Sequence, residues 1–258
     1  MKKPAGRALI LAAGAGKRMQ AGGDPRLTSD QSIAARRGDK AFMPVGGRLF
    51  IDHQIDVLHS LGIHDICVLV GPDRTISGDF IVTTQRHPRG TADAVLSAKG
   101  WAHDLPFLVM NGDNLYPPAA IEALDALDGP GVAGFDRDDL VATGNIPAER
   151  INAFAVLERD AQGNLQRIVE KPSSAELGTM APPVLVSMNL WKFDARIFDA
   201  CRDVEPSARG ELELPSAVML ARARGVSFTV IPATGPVLDL SSRADIAEVS
   251  RRLGGEAR

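Results

Sequence analysis

The stretch ALILAAGAGKRM, residues 8–19, constrains the fold most: an apolar run that reads as a buried strand breaks into a glycine-containing turn and ends in two adjacent cations, Lys17 and Arg18. A strand fixes where the following backbone amides point, and Gly14 and Gly16 are free to take positive φ and bring those amides close to a ligand. Such a turn suits polyphosphate. A dinucleotide-binding turn begins the same way but asks for a third glycine where this chain has Met19. By itself the motif leaves phosphate binding, a dinucleotide site and a plain strand-to-helix turn open.

The rest of the first half keeps a strand-then-helix rhythm. Apolar runs predict strands over 8–12, 66–70, 80–83 and 106–110, and periodic segments predict helices over 50–61 and 91–101. The expected fold class is therefore α/β, a Rossmann-like three-layer α/β/α arrangement around a mostly parallel mixed sheet. After Asp128 the order changes: strands over 153–158 and 165–169 joined by a turn at 162–164 read as a β-hairpin, followed by a strand over 184–191. Helices over 195–201 and 214–224, strands over 227–231 and 237–240, and a last helix over 242–253 capped by Ser242 complete the chain. At 258 residues this reads as one domain, with a first half over about 1–128 and a second over about 129–240. Residues 20–39 break the rhythm, being polar, rich in glycine and helix-like only over 29–37. Long loops are uncommon unless they act on a ligand or move, so a lid beside the turn and an inert surface insertion both stand as readings.

Composition narrows the partners. A formal charge of -3 gives no general attraction to nucleic acid or anionic membrane, so an anion site must be a local cationic cluster. No apolar run reaches membrane-spanning length, and the basic start MKKPAGR lacks a cleavage site, which together predict a cytoplasmic protein. Cys67 and Cys201 are two reduced structural thiols rather than a disulfide framework or zinc site. An interface patch cannot be told from core in one sequence, which leaves oligomeric state open, a homo-oligomer included.

Several residues stand where such a sheet places ligands. Asp113 and Asn111 follow the strand over 106–110, where a carboxylate can hold Mg²⁺ against phosphate oxygens. Gln85, five residues before Gly90 and the helix opened by Thr91, pairs an amide side chain with a free backbone N–H on one loop, enough to read the polar edge of a base. Glu170 and Lys171 end a strand before Pro172, and consecutive strand residues point to opposite faces, so the two can serve different ligands. Lys40, in DKAFMPVGG, and Asp239, ending an apolar strand, are unremarkable alone.

In order and spacing these segments resemble the sugar-phosphate nucleotidyltransferases, from Ala8 to about Ile246. The resemblance implies that Leu11, Ala12, Ala13, Gly14, Ala15, Gly16 and Lys17 embrace a nucleoside triphosphate, with Arg18 on its outer phosphates and Lys40 near the α-phosphate. It implies that Gln85 and Gly90 read the base, with Thr91, Asn111 and Gly112 completing the nucleotide site. Asp113 and Asp239 match the metal aspartates for Mg²⁺. Glu170, Asn189, Asn114 and Ala155 match the sugar side, and Lys171 matches the grip on the sugar phosphate. Three departures stand out: the insertion over 20–39, Ala155 where many members carry glycine, and LSS after Asp239 in place of IGT.

The implied reaction joins a sugar 1-phosphate to a nucleoside triphosphate, giving a nucleoside diphosphate sugar and pyrophosphate. A phosphate oxygen is already a competent nucleophile, so no activated serine, cysteine or histidine is needed, in keeping with the scattered histidines. Arg18, Lys40 and Lys171 would neutralise the phosphates. The Gln85 and Gly90 pairing resembles that of uridine- and thymidine-using members, which points to UTP or dTTP. A GTP- or CTP-using enzyme, one acting on a cyclitol or other non-sugar phosphate, a non-catalytic nucleotide-sugar sensor and an NAD-dependent oxidoreductase are the alternatives.

Overall fold

The computed structural model describes residues 5–180 and 182–254. In chain order its strands are β1 (Arg7–Ala12), β2 (Pro44–Val45), β3 (Arg48–Leu49), β4 (Asp65–Val70), β5 (Ile81–Thr84), β6 (Phe107–Asn111), β7 (Asn114–Leu115), β8 (Gly131–Asp136), β9 (Ala155–Arg159), β10 (Leu165–Val169), β11 (Leu185–Phe193), β12 (Thr229–Ala233) and β13 (Leu238–Asp239). The helices are α1 (Lys17–Gln20), α2 (Ser29–Arg37), α3 (Phe50–Ser60), α4 (Thr91–Ser97), α5 (Lys99–Ala102), α6 (Pro118–Asp125), α7 (Arg137–Thr143), α8 (Ser174–Thr179), α9 (Arg196–Asp203), α10 (Leu214–Ala223) and α11 (Arg243–Gly254), with a 3-10 segment over Ala148–Ala153.

Nine strands form one sheet in the order β10-β9-β11-β6-β1-β4-β5, with β8 alongside β11 and β12 alongside β8. Strands β6, β1, β4 and β5 run parallel, as do β8 and β12, whereas β11 is antiparallel to β6, β8 and β9. Strand pleating sorts the side chains onto two faces. Ala8 and Ile10 of β1 join Ile66 and Val68 of β4 against Ile51, Ile55 and Leu58 of α3 and Ile121 of α6. Leu9, Cys67, Leu69 and Phe107 face the other way, onto Val95 of α4, Phe198 of α9 and Val218 of α10. Burial on both faces is why β1 and β4 read as unbroken apolar runs, and helices on both faces give the expected three layers. No helix among the described residues is long and apolar enough to cross a membrane.

Two local expectations differ from the structure, and one strand lies where none was expected. The helix expected over 91–101 is two, α4 and α5, joined at Ala98, whose φ of -89° and ψ of 1° leave the helical range. β8 was hidden by its own sequence, GVAGFD, because glycine ordinarily weakens a strand. Its neighbours explain the choice: a Cβ at Gly131 would lie 2.7 Å from the Thr229 carbonyl oxygen, and one at Gly134 would lie 3.0 Å from the Leu185 Cβ. Residues 20–39 are in part a docked helix rather than an open loop. Thr28 and Gln31 form a capping box, Oγ1 accepting from the Gln31 N–H at 3.2 Å and Oε1 from the Thr28 N–H at 3.1 Å. Leu27, Ala34 and Ala35 then pack with Met19, Met43, Phe50 and Val249 in an apolar cluster, so part of the segment is docked on the body of the protein.

Candidate active site

β1 delivers the chain to the turn over 13–16 at the carboxyl edge of the parallel strands. Gly16 takes the left-handed conformation, φ 61° and ψ 31°, while Gly14 does not, so positive φ is needed at only one of the two expected glycines. Gly16 interlocks with Gly38: a Cβ on the first would lie 2.3 Å from the Gly38 carbonyl oxygen, and a Cβ on the second 2.3 Å from the Ala15 carbonyl oxygen. Gln20 Nε2 donates to the Ala15 carbonyl at 3.1 Å. The end of the insertion therefore props the turn from beneath. Gly112 closes it from the side, its N–H donating to the Leu11 carbonyl at 2.9 Å with no room for a Cβ. The N–H groups of Gly14, Ala15 and Gly16 donate to no protein partner among the described residues.

Two carboxylates meet beside this turn. Asp113 lies in a tight loop between β6 and β7 that is held from both sides. Gln54 donates to the Asn111 carbonyl at 2.9 Å and to the Asn114 carbonyl, and the buried Tyr116 hydroxyl accepts from the Asn111 N–H at 3.2 Å and donates to the Met188 carbonyl at 2.7 Å. β7 pairs with β13 in the register Asp239 opposite Asn114, which brings the second carboxylate alongside the first. Asn145 clamps the Asp239 backbone, accepting from its N–H at 2.7 Å and donating to its carbonyl at 2.9 Å. Lys40 Nζ reaches Asp113 Oδ2 at 2.8 Å, and Arg150 reaches Asp239 Oδ2 at 2.6 Å and Asp245 Oδ1 at 2.7 Å. Burial, and after it the Asp113 charge, pushes the Asp239 carboxyl above its ordinary value despite Arg150. Among the described residues no three His, Cys, Asp or Glu side chains form a metal cage. A pair of carboxylates that crowd one another is nonetheless the donor set Mg²⁺ uses when water and phosphate oxygens supply the remaining ligands.

A cleft of about 230 Å³ joins the two features, lined by Arg18, Thr91, Asn111, Asp113, Asn114, Ala155, Glu170, Asn189 and Asp239. It opens because β11 changes neighbour. Residues 185–187 pair with β9, residues 191–193 pair with β6, and Asn189 sits at the break with φ 57°. A side chain at such a kink is aimed by the bulge rather than by the pleat. The Glu170 carboxyl is held above its usual range, first by desolvation and then by Glu213. Asn114, expected on the sugar side, is buried and donates to Asp239 Oδ1 at 3.3 Å. Glu170 and Lys171 lie beyond the end of β10, so strand alternation does not separate them. Lys171 instead turns through φ 46° to an exposed position outside the cleft wall.

The loop over 85–91 leads from β5 into α4, and of its expected site residues Thr91 lines the cleft while Gln85 and Gly90 do not. Gln85, 3% exposed, follows β5, its N–H donating to the Val70 carbonyl at 2.9 Å, and its side-chain amide donates to the Gly90 carbonyl at 3.0 Å and Asp93 Oδ2 at 2.8 Å. Gly90 has φ 119° and caps α4, while the Thr91 hydroxyl accepts from the Leu214 N–H at 2.9 Å and ties the loop to α10. Sequence reading missed Arg150, Asn145, Glu213 and Asp93. Each belongs to an element whose place in the site is set by long-range pairing, and only Asp93, three residues after Gly90, lay next to a recognised motif. Burial lifts both thiols, Cys67 and Cys201, to about 12, in keeping with a structural role.

A propped glycine turn and paired carboxylates thus lie together at the carboxyl edge of a three-layer mixed α/β sheet, the edge where such sheets bind ligands. The chain belongs to the nucleotidyl transferase family, whose model matches residues 7–235. It is 26% identical to a UTP–glucose-1-phosphate uridylyltransferase of Haloferax volcanii over 97% of both chains. It is 28% identical to a bifunctional sugar-1-phosphate nucleotidylyltransferase/acetyltransferase of Sulfurisphaera tokodaii over 95% of this chain, and spans only 55% of that protein. Among solved structures, a UDP-glucose pyrophosphorylase superposes with a TM-score of 0.73 at 16% identity, covering 98% of this chain and 99% of the other, which shows a shared fold.

Proposed function

We propose that the protein transfers a nucleotidyl group from a nucleoside triphosphate, UTP or dTTP, to a sugar 1-phosphate and releases pyrophosphate. The observation that carries this reading is the meeting of Asp113, Asp239, Arg18 and the Lys40 ion pair in one cleft at the mouth of the phosphate turn. The names of the relatives support it. An oxygen of the sugar 1-phosphate attacks the α-phosphorus, the bond from that phosphorus to the oxygen bridging to the β-phosphate breaks, and the electron pair leaves with pyrophosphate. Both reactants are anions, so the protein's task is alignment and charge neutralisation. The turn over 11–17 offers backbone N–H groups to the triphosphate, and Arg18 and Lys40 offset its charge. Lys171 lies exposed beside Glu170 at the rim, where its charge would attract the sugar phosphate, and a direct grip would need the side chain to swing inward on binding. Glu170, Asn189 and Ala155 shape the sugar subsite, where the Ala155 methyl narrows the floor. Asp113 and Asp239 would hold Mg²⁺, which when bound withdraws charge from the phosphate oxygens.

The test is pyrophosphate release across a matrix of UTP, dTTP, GTP, CTP and ATP against sugar and cyclitol phosphates. The reading expects release that needs both substrates and is greatest with UTP or dTTP. A folded protein that releases none with any pair is a sensor rather than an enzyme, and the reading fails.

A further inference from the structure

We infer that Asp93 locks the side-chain amide of Gln85 so that only its carbonyl oxygen faces the nucleobase, which admits bases carrying a ring N–H, uracil, thymine and guanine, and rejects cytosine and adenine. The location of the base rests on the nucleotidyltransferase reading; the lock itself rests on the hydrogen-bond geometry.

The orientation of the amide follows from what surrounds it. Gln85 Nε2 lies 3.0 Å from the Gly90 carbonyl oxygen and 2.8 Å from Asp93 Oδ2. A peptide carbonyl and a carboxylate have no proton to give, so the end of the amide that faces both must be its NH₂. Turning the amide over would set Oε1 against two oxygens in a buried site, an arrangement that forfeits both bonds. Asp93 cannot swing away to relieve it. The residue is 5% exposed, in the first turn of α4, and Arg89 donates to its other oxygen from Nε at 3.1 Å and Nη2 at 2.6 Å. Gly90 is equally fixed. A Cβ there would lie 2.5 Å from the Leu212 carbonyl oxygen, and Leu212 is bonded on both sides, its N–H to the Arg89 carbonyl at 2.7 Å and its carbonyl from the Ala92 N–H at 2.8 Å.

With the NH₂ committed, Gln85 Oε1 is left as an acceptor. It accepts no hydrogen bond among the described residues, and unlike Gln54 Oε1 it is not sealed from solvent. The Gly90 N–H likewise donates to no protein partner among them. The loop thus keeps one unpaired acceptor, on Gln85, and one unpaired donor, on Gly90, and the proposed lock sets the two side by side against the base. The complementary edge is a ring N–H next to a ring carbonyl, as in uracil, thymine and guanine. Cytosine and adenine place a lone pair where that N–H should be, opposite Oε1.

The experiment measures kcat/KM for UTP, dTTP, GTP, CTP and ATP, and equilibrium binding of UTP and CTP by calorimetry, for the wild type, Asp93→Asn and Arg89→Leu, with unfolding midpoints for each. The wild type is expected to favour UTP over CTP by about 10⁴-fold, the scale on which sites built to pair a polar group reject an analogue that cannot. In Asp93→Asn the bond to Arg89 leaves the new NH₂ toward Gln85, the amide is released, and the UTP to CTP ratio falls about tenfold or more. The loss appears in KM for the nucleotide, with kcat for UTP changed far less. Arg89→Leu, at a largely exposed side chain, moves the ratio the same way by less and keeps the test open should Asp93→Asn not fold. An unchanged ratio in a folded variant, or a wild type that binds CTP as well as UTP, overturns the lock. Binding that favours UTP with no turnover of any pair upholds the lock and defeats the nucleotidyltransferase reading instead.

Discussion

The phosphate turn and the carboxylate corner share one cleft but are built in opposite ways. The turn is a backbone construction: Gly16 against Gly38 and Gly112 against Leu11 leave no space for a Cβ. The corner is a side-chain construction, in which Asp113, Asp239 and Asp245 face two cations, Lys40 and Arg150. Three carboxylates against two cations leave an excess negative charge in a partly buried place, and a divalent ion would relieve it. The difference teaches how each region fails. Added bulk at the turn displaces the cradle while the charges stay balanced, whereas a charge change at the corner upsets the balance while the backbone stays put.

The largest effect is expected at the corner. Asp113→Ala should reduce pyrophosphate release by about 10³-fold, on the scale of losing a metal or oxyanion ligand, with no loss of fold because the side chain is 22% exposed. Chelation with EDTA should abolish release in the wild type and leave its circular dichroism spectrum unchanged. Near-normal rates in either experiment break the assignment of charge work to this corner. Next comes Arg150→Met, which removes the cation that Asp239 and Asp245 share, leaves them only neutral donors, and is expected to cost about 3 kcal/mol of stability in urea titrations. Added Mg²⁺ should restore more stability to this variant than to the wild type, since the ion takes over neutralisation of Asp239. Equal stabilisation of both separates Arg150 from the metal.

The turn should respond more weakly and in another parameter. Gly38→Ala places a methyl against the Ala15 carbonyl at a residue with φ 75°, for an expected loss of about 1–2 kcal/mol and a severalfold to tenfold rise in KM for the triphosphate. A change in kcat alone would show that the insertion acts on chemistry rather than on the cradle. The smallest effect lies away from both regions: Cys67 and Cys201 should not react with a thiol reagent in the native protein and should both react once it is unfolded. Rapid native labelling at either would place it in a site that opens.

The two constructions also differ in how far the sequence discloses them. The turn was legible because its parts are contiguous: an apolar strand, glycines and two cations within twelve residues. The layered α/β fold was legible for the same reason, since strand burial and helix periodicity are local patterns. The corner was legible only in its acids. Asp113 and Asp239 end apolar strands, but Arg150 and Asn145 reach Asp239 from segments 89 and 94 residues away, and no local pattern marks them. Residues 20–39 were read as a loop because their glycines and polar residues outweigh one short helix. What decides their place is long-range: Ala34 and Ala35 share an apolar cluster with Ile246, Val249 and Leu253 of α11, and Gln31 donates to Ser250 Oγ at 3.2 Å, over two hundred residues later. The kink at Asn189 is of the same kind, produced by a strand that exchanges partners rather than by anything in VSMNLWKF itself.

The central claim is that the cradle and the corner act together on the α-phosphorus, and label transfer tests it most directly. Reaction with UTP labelled at the α-phosphate should move the label into the nucleoside diphosphate sugar, and label at the γ-phosphate should appear only in pyrophosphate. Release of γ-label as inorganic phosphate, or α-label that never leaves UTP in a folded, metal-supplied protein given a full panel of sugar 1-phosphates, would contradict it.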